Sequence, residues 1–374
     1  MKVALVHDHL SQDGGAERVL RAMQEIWPEA PTFVLFHDRN RAHPDFTRRD
    51  IRPSFIQRLP WGVSHYQWFL PLMPAAVESY NLEGFDVVLS STSAFAKGVI
   101  TSPESLHICY CHTPTRYLWS DTHRYVEELP YPRIIKIFLP LLLTRLRLLD
   151  RLMAERVDVF IANSETIANR IKKYYHRDTQ SILYPPVNTT AFSIGTPKNY
   201  YLAGGRLVSY KRLDIVIETF NRLRLPLKIF GRGPDETKLK KMAGGTVEFL
   251  GNVNDQEKAD LYRECVAYLH PQIEDFGITA IEAMASGRPV IAYAAGGATE
   301  TILDGVTGVF FQEQNWEHLL DAIVKFQPER FDPERIRKHA LQFDQDIFRK
   351  RLKNFVESAY AAFHASRSVK PRML

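Results

Sequence analysis

Residues 200–230 read YYLAGGRLVSYKRLDIVIETFNRLRLPLKIF. The stretch opens on a short apolar run, Tyr200–Ala203, and closes on another, Leu227–Phe230. Both have the length and composition of buried strands. Between them Leu213, Val216, Ile217 and Phe220 recur at helical spacing, which predicts an amphipathic helix over Leu213–Leu223. A strand, a helix and a second strand in that order form a parallel pair joined by a crossover. The glycine pair Gly204-Gly205 marks the sharp turn at the end of the first strand.

The same alternation extends in both directions. Further strands are expected at Val247–Leu250, Ala267–Leu269, Val290–Tyr293 and Val309–Phe311. Earlier in the chain they are expected at Lys2–His7, Thr32–Phe36, Val87–Ser90, His107–Cys111, Val159–Ala162 and Ser181–Leu183. Helical patterns at Ala16–Ile26, Glu165–Tyr174, Asp255–Glu264 and Glu317–Phe326 separate them. Continuous apolar strands between helices make parallel sheets covered on both faces. The fold class is therefore α/β, with two doubly wound, Rossmann-like domains. The boundary is set by Pro185-Pro186-Val187 and the aperiodic stretch to about Lys198, giving domains at 1–190 and 198–346. Ile347 to Phe363 reads as a long amphipathic helix, and 364–374 as a disordered basic tail.

A chain of 374 residues is long enough for two cores. With 45% hydrophobic and 24% charged residues it has the composition of a folded globular protein. The net charge of +5 is spread over both halves and makes no nucleic-acid-binding field. Three cysteines form no disulfide framework and fit a reducing, cytoplasmic compartment. The apolar start of MKVALVHDHL is broken by His7 and Asp8, so it reads as a first strand and not as a signal peptide. The arginine- and leucine-rich segment Arg133–Val157 has too short an unbroken apolar stretch to span a bilayer, which takes roughly 20 residues. It carries two readings: a helix packed on its own domain, or a peripheral contact with an anionic membrane face.

Ligands of open α/β sheets bind beyond the carboxyl ends of the strands. Four motifs fall there. Asp13-Gly14-Gly15-Ala16-Glu17-Arg18 follows strand one and opens a helix, whose free N–H groups suit an anion. Gly204 to Arg212 brings Arg206 and Lys211 to a strand end, where fixed cations stabilise a departing pyrophosphate. Glu274-Asp275-Phe276-Gly277-Ile278 precedes a helix containing Glu282, so two carboxylates can accept from two sets of hydroxyls. Cys111-His112-Thr113-Pro114 leads to Tyr117 and Trp119, rings of the kind that stack on sugars. Neither G-x-G-x-x-G nor a P-loop occurs. His107, Cys109, Cys111 and His112 lie too far apart along one strand to share a zinc ion. Asp344-x-Asp346 reads as a helix cap, and no metal site is expected.

In their order along the chain these motifs resemble family 4 of the retaining glycosyltransferases, which have the GT-B fold of two domains facing across a cleft. The resemblance runs through GGAERV (14–19), HTPTRYLW (112–119), ANSETIANRI (162–171), YPPV (184–187), GGRLVSYKRLD (204–214), FGRGPDE (230–236), EDFGITAIEAMASGRPVIAYAAGGATETI (274–302) and DGVTGVFF (304–311). Within the family the chain looks most like bacterial mannosyltransferases of O-antigen and related polysaccharides. The resemblance implies a donor site of Gly14, Gly15, Arg206, Lys211, Gly231, Val253, Glu274, Phe276, Gly277, Ile278 and Glu282. In it Glu274 meets the sugar and Glu282 the ribose, and Gly231 and Val253 border the base. His112 would lie by the reacting sugar, making His112, Glu274, Arg206 and Lys211 the catalytic set, with Tyr117 and Trp119 toward the acceptor. The implied donor is a nucleotide sugar, GDP-mannose above all, with no cofactor or metal. The implied acceptor is a lipid-linked glycan, and the last helix crosses back onto the first domain. Rival readings are a UDP-sugar-dependent hexosyltransferase, a sugar-nucleotide epimerase, a phosphorylase and an inactive glycan-binding subunit. Nothing marks a lysine holding pyridoxal phosphate, and the motifs offer few proton-transfer groups for an epimerase.

Overall fold

The computed structural model describes residues 1–120, 122, 126 and 133–368. The chain divides into two compact units, Met1–Tyr184 with Phe348–Leu374, and Pro185–Ile347.

The first unit holds seven parallel strands: β1 (Val3–His7), β2 (Thr32–Val34), β3 (Ile51–Pro53), β4 (Val87–Thr92), β5 (Leu106–Cys111), β6 (Val159–Ala162) and β7 (Ser181–Ile182). They lie in the order β3-β2-β1-β4-β5-β6-β7. Successive residues of a strand point to opposite faces, and β1 shows the consequence. Val3 and Leu5 join one apolar cluster with Val87 and Leu89, while Ala4 and Val6 join another with Val88. Both faces of the sheet are buried, which explains the uninterrupted apolar runs.

The second unit repeats the plan with β8 (Tyr201–Gly204), β9 (Leu227–Phe230), β10 (Val247–Gly251), β11 (Tyr268–His270), β12 (Val290–Tyr293) and β13 (Gly308–Phe311). The order is β10-β9-β8-β11-β12-β13, again parallel. In each sheet the order reverses beside its first strand, at β1/β4 and at β8/β11. There the crossover helices pass to opposite faces and leave the loops at the strand ends open to a ligand.

Three elements differ from the sequence reading. Ile51–Pro53 is an edge strand, paired only to β2; its proline is tolerated because an edge needs no second ladder. The arginine- and leucine-rich segment forms one helix, Arg133–Glu155, which ends two residues before Val157 and contains Pro140. The last helix spans Gln345–Ser368, longer at both ends than Ile347–Phe363. Residues 364–368 of the expected disordered tail are therefore helical, and the rest of that tail lies outside the described residues. Asp344 caps this helix: its Oδ1 accepts the Asp346 N–H at 2.8 Å, and its other oxygen accepts the Thr189 hydroxyl. Beyond the cap, Phe348, Leu352 and Val356 repeat at four-residue spacing and enter the first unit's cluster beside Val3, Leu5 and Leu20. Burying such a side chain is worth about 1.5–3 kcal/mol, enough to fix this helix to the first unit.

Candidate active site

In the first unit the site grows from the ends of β1, β4 and β5. His7 ends β1 and stands in register with Ser91 of β4. The His7 Nδ1 lies 3.0 Å from the Ser91 carbonyl oxygen and 3.2 Å from Ser91 Oγ. The same hydroxyl is 2.8 Å from Nε2 of His112, the residue after β5. On its other edge His7 Nε2 faces Glu17 Oε1 at 3.9 Å, an ion-pair distance. Glu17 also accepts the Gly14 N–H at 2.9 Å. Glu17, His7, Ser91 and His112 thus form one buried polar chain.

Gly14 is the helix cap in this arrangement. A Cβ there would stand 3.0 Å from Glu17 Oε2, so glycine lets the carboxylate close on the backbone. The Gly14 N–H is consequently spent inside the protein. Of the two glycines in this motif, only the exposed Gly15 keeps an N–H without a hydrogen-bond partner among the described residues. Asp8, next to His7, accepts N–H groups from Ser93, Ala94, Phe95 and Ala96 at 2.6–2.9 Å. Burial works against its charge, but His7 and these donors outweigh it and hold the carboxyl below its usual value.

His112 itself is held by its backbone: its N–H donates to the Thr92 carbonyl at 2.8 Å, and its own carbonyl accepts from Asn163 at 2.9 Å. Burial, and then the charge of His7, lowers its pKa to about 3, so the ring is neutral at physiological pH. Glu17 goes the other way. Burial opposes its ionisation, but His7 overcomes this and draws the carboxyl down to about 2.

The aromatic residues expected toward an acceptor are both tied into the protein on at least one side. Tyr117 packs at the edge of the core cluster that contains Met73 and Leu143. The Trp119 indole stacks on Tyr174 at 5.1 Å, has Arg147 over its ring, and donates Nε1–H to Asp150 at 2.8 Å. Trp119 therefore serves a buried network around Asp150, which also accepts from Lys97 at 2.6 Å, Thr115 at 2.7 Å and Tyr175 at 2.9 Å.

In the second unit the loops after β8 and β11 meet at the switch point. Gly205 takes φ +116°, which admits the turn toward Arg206 and Lys211. Arg206 is exposed and, among the described residues, has no ion-pair partner. Lys211 is only 7% exposed, and its Nζ pairs with Glu274 Oε1 from the β11 loop. Two of the expected site residues are thus brought into direct contact. Gly231 backs the turn: its φ is +106°, and a Cβ there would fall 1.9 Å from the Gly205 oxygen. Val253 is half-buried in the loop after β10.

The Glu274 loop is tightly packed from behind. Gly297 donates its N–H to the Glu274 carbonyl at 2.8 Å, and a Cβ at Gly297 would strike the Phe276 backbone at 2.5 Å. The Phe276 ring is buried on Phe343, leaving only backbone for a ligand. Gly277, at φ +91°, caps the helix Ile278–Ala285. Within that helix Glu282 is buried, with Lys258 Nζ and Tyr262 Oη each 3.2 Å from its carboxylate. Both contacts hold the Glu282 carboxylate in place.

His270, at the end of β11, was not singled out by sequence. Its Nε2 is buried, lacks a hydrogen-bond partner among the described residues, and lies 4.0 Å from Glu274 Oε2. Burial lowers its pKa to about 4, and does the same to His107 on β5. Together with His112 these histidines are neutral when folded and titrate near 6.5 when unfolded. Between about pH 6.5 and 4 the unfolded chain thus binds more protons, and stability must fall as pH falls. Glu17 adds to the loss only below about 4.5, its unfolded range. The urea midpoint is expected to be lower at pH 5 than at pH 7; an equal or higher midpoint at pH 5 would show that these histidines are not buried neutral.

Comparison with known proteins fits this geometry. The profile of Glycosyltransferase Family 4 matches residues 13–191, and that of Glycosyl transferases group 1 matches 189–343. The chain belongs to the glycosyltransferases of this family. It is 27% identical over 207 residues to O-antigen chain mannosyltransferase C of Escherichia coli, covering 51% of this chain and 54% of that protein. It is 32% identical over 208 residues to the alpha-1,3/1,6-mannosyltransferase ALG2 of Homo sapiens, covering 45% and 50%. The chain spans about half the length of the curated relatives it matches. Among solved structures, Anabaena HepE in complex with UDP aligns over 96% of this chain and 100% of its own, with TM-score 0.73 and 18% identity. The likeness establishes the GT-B fold.

Proposed function

We propose that the protein transfers a hexose, mannose from GDP-mannose, to a lipid-linked glycan with retention of anomeric configuration. The observation that carries this reading is the Lys211–Glu274 pair at the β8/β11 switch point, beside the exposed Arg206. It combines cations for a diphosphate with a carboxylate for sugar hydroxyls, on loops that glycines hold against the sheet. In this reading Arg206, Lys211 and the N–H of Gly15 receive the diphosphate, the 276–278 backbone and Glu274 receive the sugar, and Glu282 receives the ribose. The base lies by Gly231 and Val253.

Transfer proceeds on one face of the sugar. The bond from C1 to the phosphate oxygen breaks and a bond from C1 to the acceptor oxygen forms. The acceptor proton passes to the departing phosphate oxygen, whose growing charge Arg206 and Lys211 stabilise. Neither a cofactor nor a metal ion is needed in this scheme. His112 contacts the reacting sugar.

Mannose is supported by the names of the E. coli and human relatives. The crystallised complex of HepE with UDP supports the second reading, a UDP-sugar donor. The two are separated by thermal shift with GDP, GDP-mannose, UDP and UDP-glucose. Stabilisation by the guanosine pair alone is expected; at a ligand concentration of 100 Kd it amounts to about 2.7 kcal/mol. Preference for uridine would overturn the mannose assignment, and no response to either would overturn the donor site.

The location proposed is the cytoplasmic face of a membrane. No described helix is long and apolar enough to cross one. The support for peripheral contact is the helix Arg133–Glu155, where Ile137, Leu141 and Leu148 are each more than 60% exposed and Arg145 and Arg151 lie exposed among them.

A further inference from the structure

We infer that Ser91, backed by His7 and Glu17, fixes His112 in the tautomer with its proton on Nδ1, so that His112 meets substrate as a hydrogen-bond donor and not as a base. Ser91 is then a positioning residue. The inference rests on the role given to His112 above, and it deepens that role.

The argument is an accounting of protons. A carbonyl oxygen can only accept, so His7 Nδ1, 3.0 Å from the Ser91 carbonyl, must carry a hydrogen. That N–H also points at Ser91 Oγ, 3.2 Å away, which therefore accepts from it. The hydroxyl's own hydrogen is left for the other neighbour, His112 Nε2 at 2.8 Å. Nε2 then accepts, and the neutral ring has its single proton on Nδ1. The chain is anchored at its far end by Glu17, whose carboxylate faces the opposite edge of His7 at 3.9 Å and ties the Gly14 N–H. Asp8, the remaining charged group next to His7, is engaged by four N–H groups of the β4 loop and does not compete for the ring.

His112 Nδ1 has no hydrogen-bond partner among the described residues and is not sealed from solvent. It is thus the nitrogen that reaches the surface. What it offers there is an N–H, suited to a sugar hydroxyl oxygen or a phosphoryl oxygen. Removal of the acceptor proton is left to the departing phosphate.

Histidine-selective nitrogen labelling and long-range proton–nitrogen correlation at neutral pH read the tautomer directly, with His112→Asn identifying the signal. The expected result is a protonated Nδ1 and an unprotonated Nε2. An Nε2–H ring, or an even mixture, would overturn the inference. In Ser91→Ala the hydroxyl is gone, and the ring should revert toward Nε2–H, the form favoured by free histidine. With it kcat should fall about tenfold, the worth of one hydrogen bond, while KM for the donor stays near normal; Ser91→Thr should restore both signal and rate. Ser91→Ala with an unchanged tautomer would overturn the inference equally. Should the wild-type ring show Nδ1–H while no nucleotide sugar is turned over, the tautomer assignment stands and the proposed function falls.

Discussion

Lys211→Ala should lower turnover of the nucleotide sugar by about 10³-fold or more while leaving the fold intact. Removing one preorganised donor from a charge-stabilising site costs about 10²–10³, and Lys211 brings a full charge in place of a dipole. Its effect is magnified by position: the ammonium is almost wholly buried beside the β8 strand end, where water screens it poorly. Before donor binds, Glu274 offsets that charge. In the proposed function, arrival of a diphosphate gives the ammonium a second anionic partner and frees the carboxylate toward the sugar. The structural cost is small, because Glu274 keeps partial exposure and stays hydrated when its partner is lost. A melting curve within a few degrees of wild type, with kcat collapsed, is the expected pair of results. Near-normal kcat would remove Lys211 from the catalytic set.

The largest stability effect is expected in the first unit, at Asp150. This carboxylate is buried and accepts from Lys97, Thr115, Trp119 and Tyr175. Burial alone would drive Lys97 toward its neutral form, but the charge of Asp150 overcomes this and raises its pKa. Asp150→Asn leaves an uncompensated ammonium in the core and should cost about 3–5 kcal/mol of unfolding free energy. Replacing both charged partners, Lys97→Met with Asp150→Leu, should recover much of the loss, because a buried pair is far cheaper to remove whole than to halve. Chemical denaturation of the three variants checks this. Wild-type stability in Asp150→Asn would mean that Lys97 is not held as a buried cation.

These two sites differ in how visible they were beforehand. Twelve of the strands were announced by apolar runs, because a sheet covered on both faces leaves its strands no polar residues to hide behind. β3 was not, since Ile51-Arg52-Pro53 is an edge strand with one apolar residue and no run to find. Lys211 and Glu274 could be named because glycine turns and strand ends mark where ligands sit. Their mutual contact, across sixty-odd residues of chain, needed coordinates.

Asp150 was hidden for a different reason. It lies in an arginine- and leucine-rich helix, where one acidic residue reads as part of the solvated face. Only the fold shows that it points inward and that Trp119 donates to it. Glu17 stood inside the Asp13–Arg18 motif but was given no role of its own; that it faces His7 depends on how β1 and the helix after it pack together. His270 gave no signal at all beyond its place at the end of β11.

The central claim is that fixed side-chain charge in the second unit, with no bound ion, grips a nucleoside diphosphate. It is tested most directly by calorimetric titration of GDP into the intact protein in excess EDTA, repeated with Lys211→Ala. The account predicts a micromolar complex that survives the chelator and weakens about 100-fold or more, some 2.7 kcal/mol, in the variant. Binding that disappears with the chelator, or that is equal in the two proteins, would contradict it.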